Sequence, residues 1–131
     1  MKMVLQNLSG APSYLHEGVD FNTKSGEIVQ ACLPGQVIYV GETTLSGKTV
    51  IIDHGAGLKS MYAHLNSINC NIGDIMQKGA TVGIVGSTGL CYKKPTVHFG
   101  LYVFDVPIRY YDYETDGINL ASYVNEILNK H

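Results

Sequence analysis

The sequence lacks the features that mark membrane-spanning chains and nucleic-acid-binding proteins. No apolar run approaches the length of a transmembrane helix. The net charge of −2, from nine basic and eleven acidic residues, offers no surface for a polyanion, so we expect no nucleic acid partner. The N-terminal segment is too short and too polar for a signal peptide, although a piece of a longer secreted protein would look the same. With no linker or low-complexity tract, the 131 residues predict a single domain, 1–131.

Cysteine is also scarce, and its spacing excludes two common kinds of site. Cys32, Cys70 and Cys91 are odd in number and contain no CxxC pair, so neither a disulfide framework nor a thiolate zinc site is indicated. We interpret them as unpaired thiols, with Cys32 in the core; one disulfide in an oxidising compartment is the alternative. A cysteine nucleophile, Cys70 or Cys91 paired with His64, would lack a recognisable orienting group.

Short runs of β-branched and aromatic residues, bounded by many of the 15 glycines, are the dominant pattern of the sequence. They predict strands at 27–32, 35–40, 48–54, 58–64, 80–86 and 96–103. Their regular spacing indicates an antiparallel sandwich or barrel. In the run 35–40, Val37 and Tyr39 point to one face of the expected strand and Ile38 and Val40 to the other. Both sets are apolar, which predicts a strand buried on both faces. Apolar residues at helical spacing near the end predict one helix, with Asn119 as its cap.

Three residues have the composition of a catalytic zinc site. His16 and Asp20 are four residues apart, so their side chains can converge in a helix or in an extended chain. His98, in an apolar strand, would complete a set of two histidines and one carboxylate that leaves a position open for water. Zinc lowers the pKa of such a water to about 7. His64 is the obvious acid–base candidate, although each histidine taken alone could equally be structural.

In their order and spacing, these residues match a known family. The chain resembles the lysostaphin/LytM-type zinc endopeptidases, which cut peptide bonds in bacterial peptidoglycan. The resemblance covers most of the chain, from about residue 10 to about residue 123. It is carried by His16-Glu17-Gly18-Val19-Asp20, by 50–58 leading into Tyr62-Ala63-His64-Leu65, by the glycine-rich segment 73–89, and by Val97-His98-Phe99-Gly100.

The resemblance implies an all-β core of two facing antiparallel sheets with a short C-terminal helix. It implies one Zn²⁺ ion bound by His16, Asp20 and His98, with His64 as a non-ligand histidine that orients water and stabilises the oxyanion. His54 matches a frequent family position and is interpreted as structural. The implied substrates are cross-links or stem peptides of peptidoglycan, and the implied location is the periplasm, the cell wall or the cell exterior.

Thr96 departs from the family pattern, in which the first histidine of a His-x-His strand motif stands at this position and acts in catalysis. Residues 96 and 98 of a strand face the same side, so Thr96 would bring a hydroxyl in place of an imidazole. Threonine is no base near neutral pH, and losing one positioned acid–base group costs about 10²–10⁴ in rate. The predicted ligands are untouched, so zinc binding should survive.

Two functions therefore stay open, together with one from another class. The first is a zinc metalloendopeptidase with weakened activity. The second is a catalytically degenerate zinc-binding domain that binds the cell wall or a partner protein, such as one of the division machinery. The strand around His98 also resembles the phosphohistidine strand of glucose-type phosphotransferase carriers, but those have their two histidines closer in sequence and do not need His16 or Asp20.

Overall fold

Strands account for most of the residues that the structure describes. This computed structural model describes residues 12–15, 18–22, 26–88 and 95–107, and the side chains of 26–88 and 95–105. The strands are β1 (Pro12–Leu15), β2 (Gly18–Asn22), β3 (Ile28–Gln30), β4 (Gly35–Thr43), β5 (Gly47–Gly55), β6 (Leu58–Ile68), β7 (Ile75–Met76), β8 (Thr81–Val85), β9 (Thr96–Val103) and β10 (Val106–Pro107). The six strands predicted from the sequence are confirmed.

The strands form one antiparallel, curled sheet, which confirms the all-β fold class. Its main path runs β1-β2-β9-β6-β5-β4-β7. The long strand β6 pairs first with β9, through residue 63, and then with β8, from residue 65. The sheet therefore divides beside β6 into one branch through β9 and another through β8 and β3. The predicted C-terminal helix and its cap Asn119 lie outside the described residues, and within those residues no helix has the length and apolarity needed to cross a membrane.

The core is formed chiefly by side chains of β5, β6, β8 and β9 and of the segment 31–33. Tyr62 and Phe99 are almost fully buried and pack with ring centroids 5.3 Å apart. Burying an aromatic side chain of this size contributes about 1.5–3 kcal/mol. Cys32, as predicted, is a core residue with no exposed surface. Two of the strands that carry the candidate site, β6 and β9, thus contribute large side chains to the core.

The prediction that the run 35–40 is buried on both faces is wrong. Val37 is buried in β4, but Ile38 and Tyr39 are 39% and 36% exposed. The reason is position: β4 has the long strand β5 on one side and only the two-residue β7 on the other. The register with β5 also shifts between Val37 and Tyr39. The strands buried on both faces are instead the central ones, β6 and β9.

Candidate metal centre

Asp20 and His98, two of the predicted zinc ligands, lie opposite each other on neighbouring strands. In the β2–β9 pair, Asp20 is the register partner of His98, and the flanking pairs follow without a shift. Directly opposed residues in an antiparallel pair share a face of the sheet, with Cβ atoms about 4.5–5.5 Å apart. The backbone therefore brings Asp20 and His98, which are far apart in sequence, next to each other on one face of the sheet.

The third predicted ligand, His16, lies outside the described residues. It stands in the sequence between Leu15 and Gly18, which are themselves register partners in the β1–β2 pair. Among the side chains that the structure describes, no group of three His, Cys, Asp or Glu residues forms a metal site, and neither His16 nor the Asp20 side chain belongs to that set. The complete ligand set stays a prediction.

His64 lies at an irregularity of β6. Lys48 pairs with Leu65 and Val50 pairs with Tyr62, so Ala63 and His64 together face the single residue Thr49. This is a β-bulge, and His64 has a φ of 63°, in the left-handed region. Its backbone N–H donates to the Ser46 carbonyl at 2.8 Å. A positive φ is uncommon for a residue with a side chain, although histidine is among the residues that adopt it more readily.

The bulge turns the His64 side chain toward His98. Ala63 is the register partner of His98, and in a regular strand the next residue would point to the opposite face. Instead the rings of His64 and His98 are neighbours, with centroids 6.4 Å apart and planes at 77°. The structure thus brings the predicted acid–base residue to the predicted ligand. Sequence reasoning missed the bulge because no glycine or proline marks it.

The positive φ of His64 at the bulge leads to a prediction about the free energy of unfolding. We expect His64→Gly to have a free energy of unfolding about 1 kcal/mol larger than that of His64→Ala, because alanine is strained at positive φ and glycine is not. Urea unfolding of both variants measures this difference, and both lack the imidazole equally. Ala63→Gly is the matched control: Ala63 has no positive φ, so glycine there should lower stability. A His64→Ala variant as stable as His64→Gly would contradict the positive φ of residue 64.

Thr96 begins β9, two residues before His98. It is 3% exposed, it is the register partner of Asn22 in β2, and its backbone N–H donates to the Gly86 carbonyl at 2.9 Å. Because side chains alternate along a strand, residues 96 and 98 share a face, as predicted. Thr96 is therefore an enclosed residue beside His98, and its side chain offers a hydroxyl but no imidazole.

His54 belongs to a separate, structural cluster. Its Nδ1 lies 2.8 Å from the Pro34 carbonyl oxygen, and its Nε2 lies 2.6 Å from the Ser60 hydroxyl. A carbonyl only accepts, so Nδ1 carries the proton and Nε2 is the acceptor. Burial lowers the pKa of His54, which favours this neutral form. These contacts agree with the structural role predicted for His54.

Cys32 is buried against the same cluster. The Tyr62 hydroxyl lies 3.0 Å from the Ser60 hydroxyl and accepts the Cys32 backbone N–H at 2.9 Å. Burial raises the pKa of the Cys32 thiol to about 11, so little thiolate forms near neutral pH. Cys70 is also buried, and its thiol lies 3.7 Å from the Val82 carbonyl oxygen. The nucleophile hypothesis would instead pair this thiol with His64. Cys91 lies outside the described residues.

The curled antiparallel fold is that of the LytM-like peptidases. The model of peptidase family M23 matches residues 14–110, and the chain belongs to this family. The resemblance to lysostaphin/LytM-type peptidases is thereby confirmed.

Individual relatives agree with this assignment. The chain is 31% identical to the peptidoglycan DD-endopeptidase ShyB of Vibrio cholerae over 93 residues, 71% of this chain and 22% of that protein. Among solved structures, a putative M23 peptidase from Pseudomonas aeruginosa matches 82% of this chain and 48% of its own, with a TM-score of 0.75 and 32% identity. A zinc-containing peptidase from Vibrio cholerae matches 71% of this chain and 28% of its own, with a TM-score of 0.68 and 30% identity. The chain spans about a fifth of the length of the curated relatives that it matches.

Proposed function

We propose that this chain is a zinc-dependent endopeptidase domain that cleaves cross-links or stem peptides of bacterial peptidoglycan, with activity weakened at Thr96. The observation that carries the proposal is the convergence of three residues from distant parts of the sequence. Asp20 and His98 are opposed across β2 and β9, and the His64 ring lies beside that of His98. Peptidoglycan as the substrate rests on family membership and on relatives such as the DD-endopeptidase of Vibrio cholerae.

The proposed metal ligands are His16, Asp20 and His98. Two imidazoles and a carboxylate suit zinc, and three protein ligands leave a position for water or substrate. The opposed positions of Asp20 and His98 fit such a set, and one solved relative is described as containing zinc. When bound, zinc polarises a carbonyl oxygen and lowers the pKa of water.

His64 is proposed as the residue that moves the proton. Its Nδ1 lies 2.7 Å from the Thr88 carbonyl oxygen, so Nδ1 donates and Nε2 of the neutral ring accepts. Nε2 then takes a proton from the attacking water. The imidazolium so formed is a donor at both nitrogens and stabilises the oxyanion before it returns the proton to the leaving amine.

Thr96 weakens this scheme without removing it. A hydroxyl neither accepts a proton at neutral pH as imidazole does nor carries a positive charge toward an oxyanion. Losing one such donor costs about 10²–10³ in rate. The proposed ligands and His64 stay in place, so slow zinc-dependent hydrolysis is the expected activity. The proposed location is the periplasm or the cell wall, where the substrate lies.

The test is hydrolysis of purified peptidoglycan. We expect the purified chain to release peptide fragments slowly, a chelator to stop the release, and added zinc to restore it, because the proposed chemistry needs the metal. Amino groups freed during digestion, together with mass spectrometry of the fragments, measure the rate and identify the bond. The His64→Gln variant serves as the control, with metal bound and no release. Fragment release that a chelator leaves unchanged would contradict the proposal.

The buried threonine at position 96 favours one second candidate. In that case the chain is a zinc-binding domain without peptidase activity that binds the cell wall or a division-type protein. The same assay separates the two functions. Sedimentation of the chain with insoluble peptidoglycan, without any fragment release, would favour the second candidate over the first.

A further inference from the structure

We propose that Thr88 is a positioning residue that sets the orientation and the tautomer of His64. The inference rests on the proposed role of His64 in catalysis. Thr88 follows β8 and is half-buried between β5 and β6. It contacts both strands at the bulge, through its side chain and through its backbone.

The Thr88 hydroxyl is inserted into the ladder between β5 and β6. It accepts the backbone N–H of Lys48 at 3.0 Å and donates to the Leu65 carbonyl at 2.7 Å. Lys48 and Leu65 are register partners, immediately beyond the bulge. The hydroxyl therefore bridges a peptide donor of β5 and a peptide acceptor of β6, using its proton and one of its two lone pairs. A buried peptide group left unpaired costs about 1–3 kcal/mol, so this bridge stabilises the bulge.

The Thr88 carbonyl holds the His64 ring. His64 Nδ1 lies 2.7 Å from that oxygen, and the His64 backbone N–H donates to Ser46. The ring is thus tied to one residue and the backbone to another. Because Nδ1 must carry the proton, Nε2 is left as the acceptor on the remaining side of the ring. The hydroxyl fixes where Thr88 lies, and the carbonyl transmits that position to the imidazole.

Gly47 gives independent support. It begins β5 with a φ of +66°, and a Cβ atom at this position would overlap the hydroxyl and the carbonyl group of Thr88. Any other residue would push Thr88 away from the ladder. The close approach of Thr88 to β5 therefore depends on a glycine, as is expected where two backbones must come within contact distance.

The test reads the tautomer directly. We expect the nitrogen NMR signals of His64, recorded on zinc-loaded protein at about pH 8.5 to keep imidazole neutral, to show one form with the proton on Nδ1. Thr88→Val, which keeps the shape and loses the hydroxyl, should admit the form with the proton on Nε2. Thr88→Ser keeps the hydroxyl and should retain the wild-type signal. Gly47→Ala, which displaces Thr88 without altering it, should behave like Thr88→Val.

Two results would overturn the proposal. One is a wild-type His64 with its proton on Nε2, which decides the matter even if a variant fails to fold. The other is an unchanged signal in both folded Thr88→Val and folded Gly47→Ala. The spectra do not depend on turnover, so peptidase inactivity with the expected tautomers would reject the proposed function and leave the positioning role standing. In an active background, Thr88→Val should lower kcat more than it changes KM, with rescue in Thr88→Ser.

Discussion

Thr96→His should raise the rate of peptidoglycan peptide hydrolysis by at least about tenfold, and by up to about 10²–10⁴ where the new imidazole reaches its full catalytic effect. The substitution restores an acid–base group beside two groups that are already in position. Residue 96 shares a strand face with His98, and the ring centroids of His64 and His98 are 6.4 Å apart.

The surroundings of Thr96 set the condition for this gain. The residue is 3% exposed, and its backbone is held by Asn22 and Gly86. An imidazole is larger than a threonine side chain, and overpacking a closed site costs about 1–3 kcal/mol. The free energy of unfolding should therefore be measured with the rate. A moderate loss of stability together with a higher rate is the expected pair of results.

Two control variants separate chemistry from packing. Thr96→Gln brings a polar side chain of similar length that is neither acid nor base, so it should give no gain. Thr96→Val removes only the hydroxyl and reports whether that group contributes to the residual rate. A folded Thr96→His variant that binds one zinc ion and shows no gain would mean that the substrate groove also differs from that of active relatives. The second candidate function would then be favoured.

The fold class was predictable because local signals agree in six of the ten described strands, whereas β1, β2, β7 and β10 were not predicted. Glycine at the ends of β-branched runs marks the strands, and the six predicted strands are confirmed. The error at 35–40 has a physical cause. Apolar alternation indicates which side chains are able to be buried, whereas the exposure of Ile38 depends on which strands flank β4, and these come from elsewhere in the sequence.

The candidate site was predictable in composition but not in geometry. The motifs give the residue types, and they place 96 and 98 on one face. The pairing of Asp20 with His98 is a long-range register that no local pattern encodes. The bulge at His64 has no glycine or proline to announce it, and the hydroxyl bridge of Thr88 depends on three segments meeting. Sequence spacing therefore indicates the chemistry, and tertiary packing decides where each group points.

The second large effect concerns metal binding. We expect the purified chain to bind one equivalent of zinc, and His98→Ala and Asp20→Ala each to retain less than about a tenth of an equivalent after dialysis. Loss of a second-shell partner alone typically costs about 10–100-fold in metal affinity, and loss of a ligand should cost more. The two residues are opposed on β2 and β9, so removing either leaves the same position short of a donor. Metal analysis by mass spectrometry after zinc loading measures the content.

Matched histidine variants make this prediction specific. His64→Gln removes a neighbouring imidazole that is proposed not to be a ligand, and His54→Gln removes one that is bonded to Pro34 and Ser60 in the separate cluster. Both should keep a full equivalent of zinc if they fold. Zinc retained in His98→Ala but lost in His64→Gln would reverse the assigned roles of these two histidines. Less than about a tenth of an equivalent in the wild-type chain would reject the zinc site itself.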